Sequence, residues 1–372
     1  MRRLFRRVQR RLVSALLVPA VALSAGLGAV AALVMIIGEA PGRALLTLLR
    51  GAFGDPEGIG YTLFYATDYV FAGLAVALPF QAGLFNIGGE GQAALGGLGA
   101  TLAACALNGA PPALVLAAAT AAAAGFGAAW AFVPAWLQAR RGSHLVITTI
   151  IFNFIAAALM TWLLARVLTA PGNSAPETRE FQQALWLPTL GDLGSRIGID
   201  AGGAPLNPSA LLALAAAALY WLLLRRTPLG YEIRAVGFNP AASRAAGIRV
   251  PRTLIIAVCG GGGFAGLIAV NELFGAQHRL ALDMTSGAGF TGIAVALMGR
   301  GHALGIVVAA ILFGALNQGG AALSFELPNV THDIVILAEG VAIFVCGTLD
   351  GAVRGHFRWL ETLRTAPKRD SA

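Results

Sequence analysis

Apolar residues in this chain come in long blocks, and polar and charged residues are gathered into the gaps between them. About 20 helical residues cross a hydrocarbon core of about 30 Å. Windows of that size predict ten membrane-spanning helices, at 12–38, 61–80, 84–107, 113–137, 145–168, 208–224, 254–274, 282–298, 304–323 and 334–346. The third, eighth and tenth are the weakest, each being short or broken by glycine. The expected fold class is therefore all-α: a polytopic helical membrane protein with some broken helices.

The gaps carry the orientation. Arg2, Arg3, Arg6, Arg7, Arg10 and Arg11 precede the first block. That block is longer than the about 7–15 apolar residues of a signal-peptide core, so it reads as a first span with a cytoplasmic N-terminus. Cytoplasmic loops carry the excess of Lys and Arg. Four spans then return Arg140 and Arg141 to the inside, the fifth exports the longest polar loop, 169–207, and the sixth returns the arginine-rich loop 225–252. Two further spans place Arg300 inside, and the last two place Arg354, Arg358, Arg364, Lys368 and Arg369 there as well. Every cluster lands on one side, so the ten-span count is self-consistent.

Composition agrees. Of 372 residues 57% are hydrophobic and 12% charged, with a mean hydropathy of +0.73, against about 25% charged in an ordinary soluble domain. No polar linker divides the chain, which is read as a basic cytoplasmic segment 1–11, one membrane domain 12–350, and a cytoplasmic tail 351–372. The net charge of +8 does not indicate nucleic acid, because the arginines sit between apolar blocks rather than on one aromatic-interleaved surface. Cys105, Cys259 and Cys346 lie far apart in apolar runs and read as small buried residues. Alanine and glycine dominate several spans, including Gly260 to Gly263, and small residues let helices approach closely in lipid.

Enzyme chemistry is largely excluded. The only lysine is Lys368, with no glycine loop before it, so a phosphate-cradling G-x-x-x-x-G-K-[ST] loop is absent. The five histidines are scattered and form no H-E-x-x-H, and no G-x-S-x-G elbow occurs. No catalytic residue, metal ligand or bound cofactor is expected.

Polar groups inside apolar blocks mark a path or fix packing: Asp68, Asn86, Glu90, Gln92, Asn153, Glu272 and Asn317 with Gln318. Intramembrane ionisable groups are costly and usually face a cavity or a partner. The stretch 82–92 ranks first, with Asn86, Glu90, Gln92 and four glycines between apolar blocks. It reads in two ways. As a discontinuous helix it would present backbone to a cavity. As a tight cytoplasmic turn it would place Glu90 at the start of the next helix, which favours acidic residues. The predicted path residues are Phe85, Asn86, Glu90, Gln92, Asn153 and Glu272.

The loop 225–252 has its own signals. Asn239 can cap a short helix with Pro240 at its first position, and Gly247 can end it about two turns later. A short capped helix between two spans is the shape of a docking knob. The loop resembles the coupling segment of ABC importer permeases for ribose-type sugars, branched-chain amino acids and nucleosides. Thr227, Gly230, Arg234, Ala235, Gly237, Asn239, Ala241, Ala242, Gly247 and Ile248 carry that resemblance. The stretch Gly83 to Gln92 resembles the G-L-F-N-I-G-x-E-G-Q signature of the nucleoside branch, which works with basic-membrane-protein lipoproteins; Gly89 stands where that branch often has a branched apolar residue. The segments 141–153 and 290–299 resemble two further blocks of the same branch.

The resemblance implies a permease subunit of a bacterial ABC importer in the inner membrane, forming a path for nucleosides or related polar solutes. It implies a second permease, commonly a different chain; two cytoplasmic ATPases that hold ATP and Mg; and a substrate-binding lipoprotein or periplasmic protein. The ATPases would grip the loop through Gly230, Arg234, Gly237, Asn239, Ala241, Ala242 and Gly247. A ribose-type sugar or branched-chain amino acid permease is the nearest alternative. An ion-coupled secondary transporter, using Glu90 and Asp68 as carriers, is the alternative of another class.

Overall fold

Helices start and stop where proline, capping residues and glycine fall. The protein, as a computed structural model, is described over residues 24–327 apart from 171, 173–174 and 197–201, with a few positions between 329 and 344. In chain order the helices are α1 (Ser24–Ile37), α2 (Pro41–Phe53), α3 (Pro56–Gln81), α4 (Gly89–Ala106), α5 (Pro112–Arg141), α6 (Leu145–Arg166) and α7 (Leu190–Arg196). There follow α8 (Ser209–Arg226), α9 (Pro228–Phe238), α10 (Pro240–Ala245), α11 (Val250–Gly266), α12 (Ile268–Glu272), α13 (Ala288–Met298) and α14 (Ala303–Glu326). Among the described residues six stretches are long and apolar enough to cross a membrane: α3, α5, α6, α8, Val250–Gln277 and α14. The described residues hold no strand beyond one isolated bridge, Glu177 to Ala281, so the chain is an all-α polytopic membrane protein.

Three windows need correction. The third, 84–107, becomes helical only at Gly89, and the eighth, 282–298, only at Ala288. The seventh is broken at Leu267 and ends in a π turn, Leu273–Gln277. Helix α2 was not expected. It has 13 residues, too few for a membrane window, and it buries Ala44, Thr47, Leu48 and Ala52 on one face. The tenth window lies largely outside the described residues, as do 1–11 and 351–372.

The centre is α3, buried for most of its length and packed against α11, α13 and α14. In lipid there is no hydrophobic drive between helices, so close packing must supply the attraction. Glycine makes it possible. A Cβ on Gly261 would lie 2.5 Å from the Ala75 carbonyl oxygen and 2.9 Å from Pro79 Cγ. On Gly262 it would lie 2.5 Å from the Gly127 carbonyl oxygen and 2.6 Å from Ala131 Cβ. Gly96 faces Gly266, where a Cβ would lie 2.5 Å from the Gly266 Cα. Helix α11 is thus wedged between α3, α4 and α5 with backbone touching backbone.

The two ends of the bundle differ. At one, Gln81 donates to the Gly301 carbonyl (3.2 Å) and Tyr220 OH donates to the same oxygen (2.8 Å), while Arg140, Arg244, Arg249 and Arg252 line one hollow. The arginine clusters of the described loops therefore share one end. At the other, residues 177–187 of the loop between α6 and α8 fold over the bundle. Thr178 N–H donates to the Leu280 carbonyl (2.9 Å), Phe181 N–H to that of His278 (2.8 Å) and Leu187 N–H to that of Phe274 (2.7 Å), and Arg279 pairs with Glu177 at 2.8 Å.

The glycine wedge makes a testable contrast. Gly262→Ala and Gly96→Ala should each cost about 1–3 kcal/mol through overpacking, lowering the thermal midpoint of detergent-solubilised protein followed by size exclusion. Gly263→Ala should not, since its nearest neighbours would stand at 3.5 and 3.9 Å. Equal midpoints for all three would refute backbone contact as the packing device.

Candidate functional site

The stretch 82–92 turns twice. Gly83 takes a left-handed conformation (φ 78°), and Leu84 N–H closes the turn onto the Pro79 carbonyl at 3.1 Å. From there the chain runs non-helically back along α3 as far as Ala75. Asn86 Nδ2 donates to the Ala75 carbonyl (3.4 Å) and to Gln92 Oε1 (3.0 Å). Gln92 Nε2 donates back to Asn86 Oδ1 (3.1 Å), which also accepts the Gly88 N–H (3.0 Å). Asn153, on α6, holds the other side: Nδ2 donates to the Ile87 carbonyl (2.9 Å) and Oδ1 accepts the Gly91 N–H (3.0 Å). Asn86 and Asn153 thus satisfy backbone that no helix can, and Gln92 holds Asn86 in place.

Glu90 lies in the first turn of α4 but serves another helix. Its carboxylate accepts from Thr285 Oγ1, from Gly287 N–H at 3.2 Å and from Gly289 N–H at 2.9 Å. Those amides open α13, so Glu90 is the cap that α13 lacks in its own sequence. The segment leading into α13 is contorted: Asp283, Ser286 and Gly287 all have positive φ, at 54°, 46° and 80°. Helix α13 has 11 residues, a rise of about 16 Å at about 1.5 Å per residue. Its start therefore lies about half a bilayer core above the arginine-rich end. The turn at Gly83 sits at the arginine-rich end, whereas Glu90 sits deep, at the meeting of two helix starts.

A cleft of about 130 Å³ opens beside Glu90, lined also by Asn153, Thr161, Asp283 and Thr285. The predicted path residues part company here. Glu90 and Asn153 line the cleft. Asn86 and Gln92 are buried behind it, 0% and 1% exposed, and act as a clasp. Phe85 is half-buried and meets Phe80 edge-on at 6.2 Å. Glu272 lies elsewhere, in a buried cluster on α12. It lies close to the Asp68 carboxyl and accepts from Gln277 Nε2 at 2.7 Å, beside Asn271, which accepts from Asn207 (2.9 Å) and Ser209 (2.6 Å). Asn317 Nδ2 donates to Tyr69 OH at 3.0 Å. Sequence reasoning missed Asp283, Thr285, Gly287 and Gly289. Their signal was present: Asp-Met-Thr-Ser-Gly-Ala-Gly is as polar and glycine-rich as 82–92, but a window tuned to apolar length absorbed it.

The loop 225–252 forms an elbow of two helices. Thr227 caps α9, accepting the Gly230 N–H at 3.0 Å. Asn239 ends α9 and caps α10, accepting from Ala241 and Ala242 N–H at 3.0 Å each. Gly247 closes α10 in the left-handed conformation (φ 86°). Asn239, Ala241 and Ala242 are exposed. Arg234 Nε turns back to the Gly230 carbonyl, 3.2 Å. Two glycines allow close contact below: Gly230 lies against α8, where a Cβ would be 2.6 Å from the Leu224 Cα, and Gly237 lies against the α3–α4 turn, where it would be 2.9 Å from the Gln81 carbonyl carbon. The elbow therefore rests directly on the turn that leads to Glu90.

A family profile described as "Branched-chain amino acid transport system / permease component" matches residues 58–344. The guanosine ABC transporter permease protein NupP of Bacillus subtilis is 36% identical over 350 residues, 91% of this chain and 97% of that protein. The glucose ABC transporter permease protein TsgB13 of Haloferax volcanii is 34% identical over 302 residues, 80% and 77% of the two chains. The nucleoside ABC transporter permease protein NupB of Lactococcus lactis is 30% identical over 337 residues, 88% and 89%. Bacillus subtilis contributes a second relative, the guanosine ABC transporter permease protein NupQ, 29% identical over 285 residues, 72% and 85%. No solved structure matches the chain significantly.

If Asn86 and Gln92 form a clasp, Asn86→Ala strands a buried amide and costs about 1–3 kcal/mol. Replacing both by leucine should recover the part of that loss owed to the stranded Gln92 amide, which bonds only Asn86, while the Gly88 N–H and the Ala75 carbonyl still lack their side-chain partner. Thermal midpoints of the single and double variants in detergent check this; a double variant worse than the sum of the singles would rule the clasp out.

Proposed function

Since the chain belongs to the branched-chain amino acid transport system permease family, we propose that it is the permease subunit of a bacterial ABC importer for nucleosides. In this reading it lies in the inner membrane with the arginine-rich end in the cytoplasm, where arginine is favoured. Energy comes from ATP and Mg on separate ATPase subunits, consistent with the missing phosphate loop. A lipoprotein or periplasmic protein delivers substrate to the opposite face. The guanosine and nucleoside relatives favour nucleosides over the glucose of a third.

One observation carries the mechanism: the contact of Gly237 with the backbone of Gln81 and Ala82. An ATPase pushing on the exposed α9–α10 elbow displaces the α3–α4 turn without an intervening flexible side chain. The turn is stapled to Glu90 through Asn86, Gln92 and Asn153, and Glu90 holds the start of α13. The push at the elbow becomes a shift of α13 and of the segment 281–285 before it, which lines the cleft. A secondary transporter has no use for such an elbow, and Glu90 and Asp68 lie in separate clusters rather than on one relay.

The cleft also bears on the partner. About 130 Å³ is well below the about 300–1,000 Å³ typical of ligand pockets. One chain therefore supplies one wall, and a second permease supplies the other. The presence of two guanosine permeases in one relative's organism, both similar to this chain, favours a different chain as that partner. Glu90, Asn153, Asp283 and Thr285 offer acceptors and donors suited to ribose hydroxyls and base amides.

Uptake of labelled guanosine into proteoliposomes holding both permeases and the ATPases is the test. Glu90→Gln should lower uptake about tenfold, the cost of weakening charge-assisted bonds of about 1.5–3 kcal/mol. Deleting 234–247 should abolish co-purification of the ATPase and leave membrane insertion intact. Transport that persisted without any ATPase would overturn the ABC reading. Guanosine uptake no faster than ribose or leucine uptake would overturn the substrate.

A further inference from the structure

Beside the elbow, away from the cleft, four arginines converge on one hollow. Arg140 ends α5, Arg244 lies on α10, Arg249 stands just before α11 and Arg252 lies in its first turn, and together they line a cavity of about 740 Å³. All four are exposed, and among the described residues none is held in an ion pair with a carboxylate. Four arginines border this hollow with no carboxylate among its lining residues, and the neighbouring Glu232 accepts from Thr253 Oγ1 at 3.3 Å instead, so the arrangement calls for an anion. The inner wall of the hollow has the opposite character. Ile255 and Ile256, one turn further along α11, face the same cavity and belong to an apolar stretch long enough to cross a membrane. A ligand that fits both walls is anionic at one end and apolar at the other.

We propose that this hollow binds the headgroup of an anionic phospholipid, with the phosphate among the four arginines and the acyl chains against Ile255 and Ile256. Guanidinium groups match phosphate oxygens in bidentate geometry, and basic pockets between helices at the cytoplasmic face suit such headgroups. An acidic surface of a partner protein would satisfy the arginines but leave Ile255 and Ile256 unmatched. Because Arg244 lies on the capped helix α10, the lipid would brace the elbow from the membrane side. The site rests on the reading of that end as cytoplasmic only for which leaflet supplies the lipid.

The test places the full-length protein in nanodiscs with equal amounts of phosphatidylglycerol and phosphatidylcholine, and counts the lipids retained after release into native mass spectrometry. Nanodiscs expose both faces to the same lipids, so the result does not depend on orientation; labelling of Arg244→Cys in intact cells decides orientation separately. The wild-type chain should retain phosphatidylglycerol in preference. Arg140→Gln/Arg249→Gln/Arg252→Gln should reduce that retention by about fivefold for each arginine removed, with phosphatidylcholine unchanged. The matching lysine variant keeps the charge and should retain an intermediate amount, which guards against a misfolded glutamine variant. A control, Arg225→Gln/Arg226→Gln, should bind as the wild type does.

Three results would overturn the proposal. The first is equal retention by the glutamine triple variant. The second is protection of the protein against heating by inorganic phosphate as strong as that by phosphatidylglycerol, which would make the site a simple anion site. The third is complete loss of bound phosphatidylglycerol when the ATPase subunits assemble, which would give the arginines to a protein surface.

Discussion

Backbone that is not helical has no partners in lipid and must find them inside the protein. Two segments of this chain face that problem, 84–88 and 281–287, and they approach each other where α4 and α13 begin. Asn86 and Asn153 bond the first segment to α3 and α6, and Gln92 of α4 holds Asn86. The Glu90 carboxylate, carried by the helix that follows the first segment, takes the amides that open α13 after the second. Remove the carboxylate and a half-helix begins with bare N–H groups in a buried place. The position of α13, the shape of the cleft and the route from the elbow all hang on that one cap.

The mechanism proposed here needs stiffness between the elbow and the α3–α4 turn, and in this fold glycine supplies it. Where Gly237 meets Gln81 and Ala82, or Gly262 meets Gly127, main chain touches main chain with no rotamer between. A side chain in those places would add free torsions and absorb a small displacement. Packed interiors do not deform continuously, so a shift at the elbow moves the α3–α4 turn as a unit. The glycines of the coupling stretch therefore have two separate roles. Gly230 and Gly237 permit contact, whereas Gly247, with no neighbour within 4 Å of a Cβ, permits a left-handed turn.

Much of this was legible in the residues. Blocks of apolar length located α3, α5, α6, α8, α11 and α14, because a membrane imposes one length on every span. Asn239, Pro240 and Gly247 gave the start and stop of α10, since caps are local chemistry. Partnership was not legible. That Glu90 would cap α13, about two hundred residues away, depends on which helix starts meet in space, and the same carboxylate in 82–92 is equally compatible with capping its own helix. Glu272 shows the converse: an acidic residue in an apolar block suggests a path, yet burial beside Asp68 and Asn271 puts it into a structural cluster. Helix α2 escaped because 13 residues with a single apolar face fall below any membrane window.

The cleft's small size joins these points. A site that closes around its substrate within one chain needs that chain's own walls to move apart, and the walls here are pinned: α4 to α6 by Asn153, and α4 to the segment that leads into α13 by Glu90 and Thr285. Pinned walls cannot open by separating from each other. They can move together, as a rigid face, against a second chain. Such a face would be driven from one end only, where the elbow touches the turn, and the loop 169–207 that ties Glu177, Thr178 and Phe181 to residues 278–281 would keep the far end attached. Binding sites between bodies that rock against each other have this form, and the hydrogen bonds that make a single chain's cleft too rigid and too small are the ones that would let a pair of chains work as a gate.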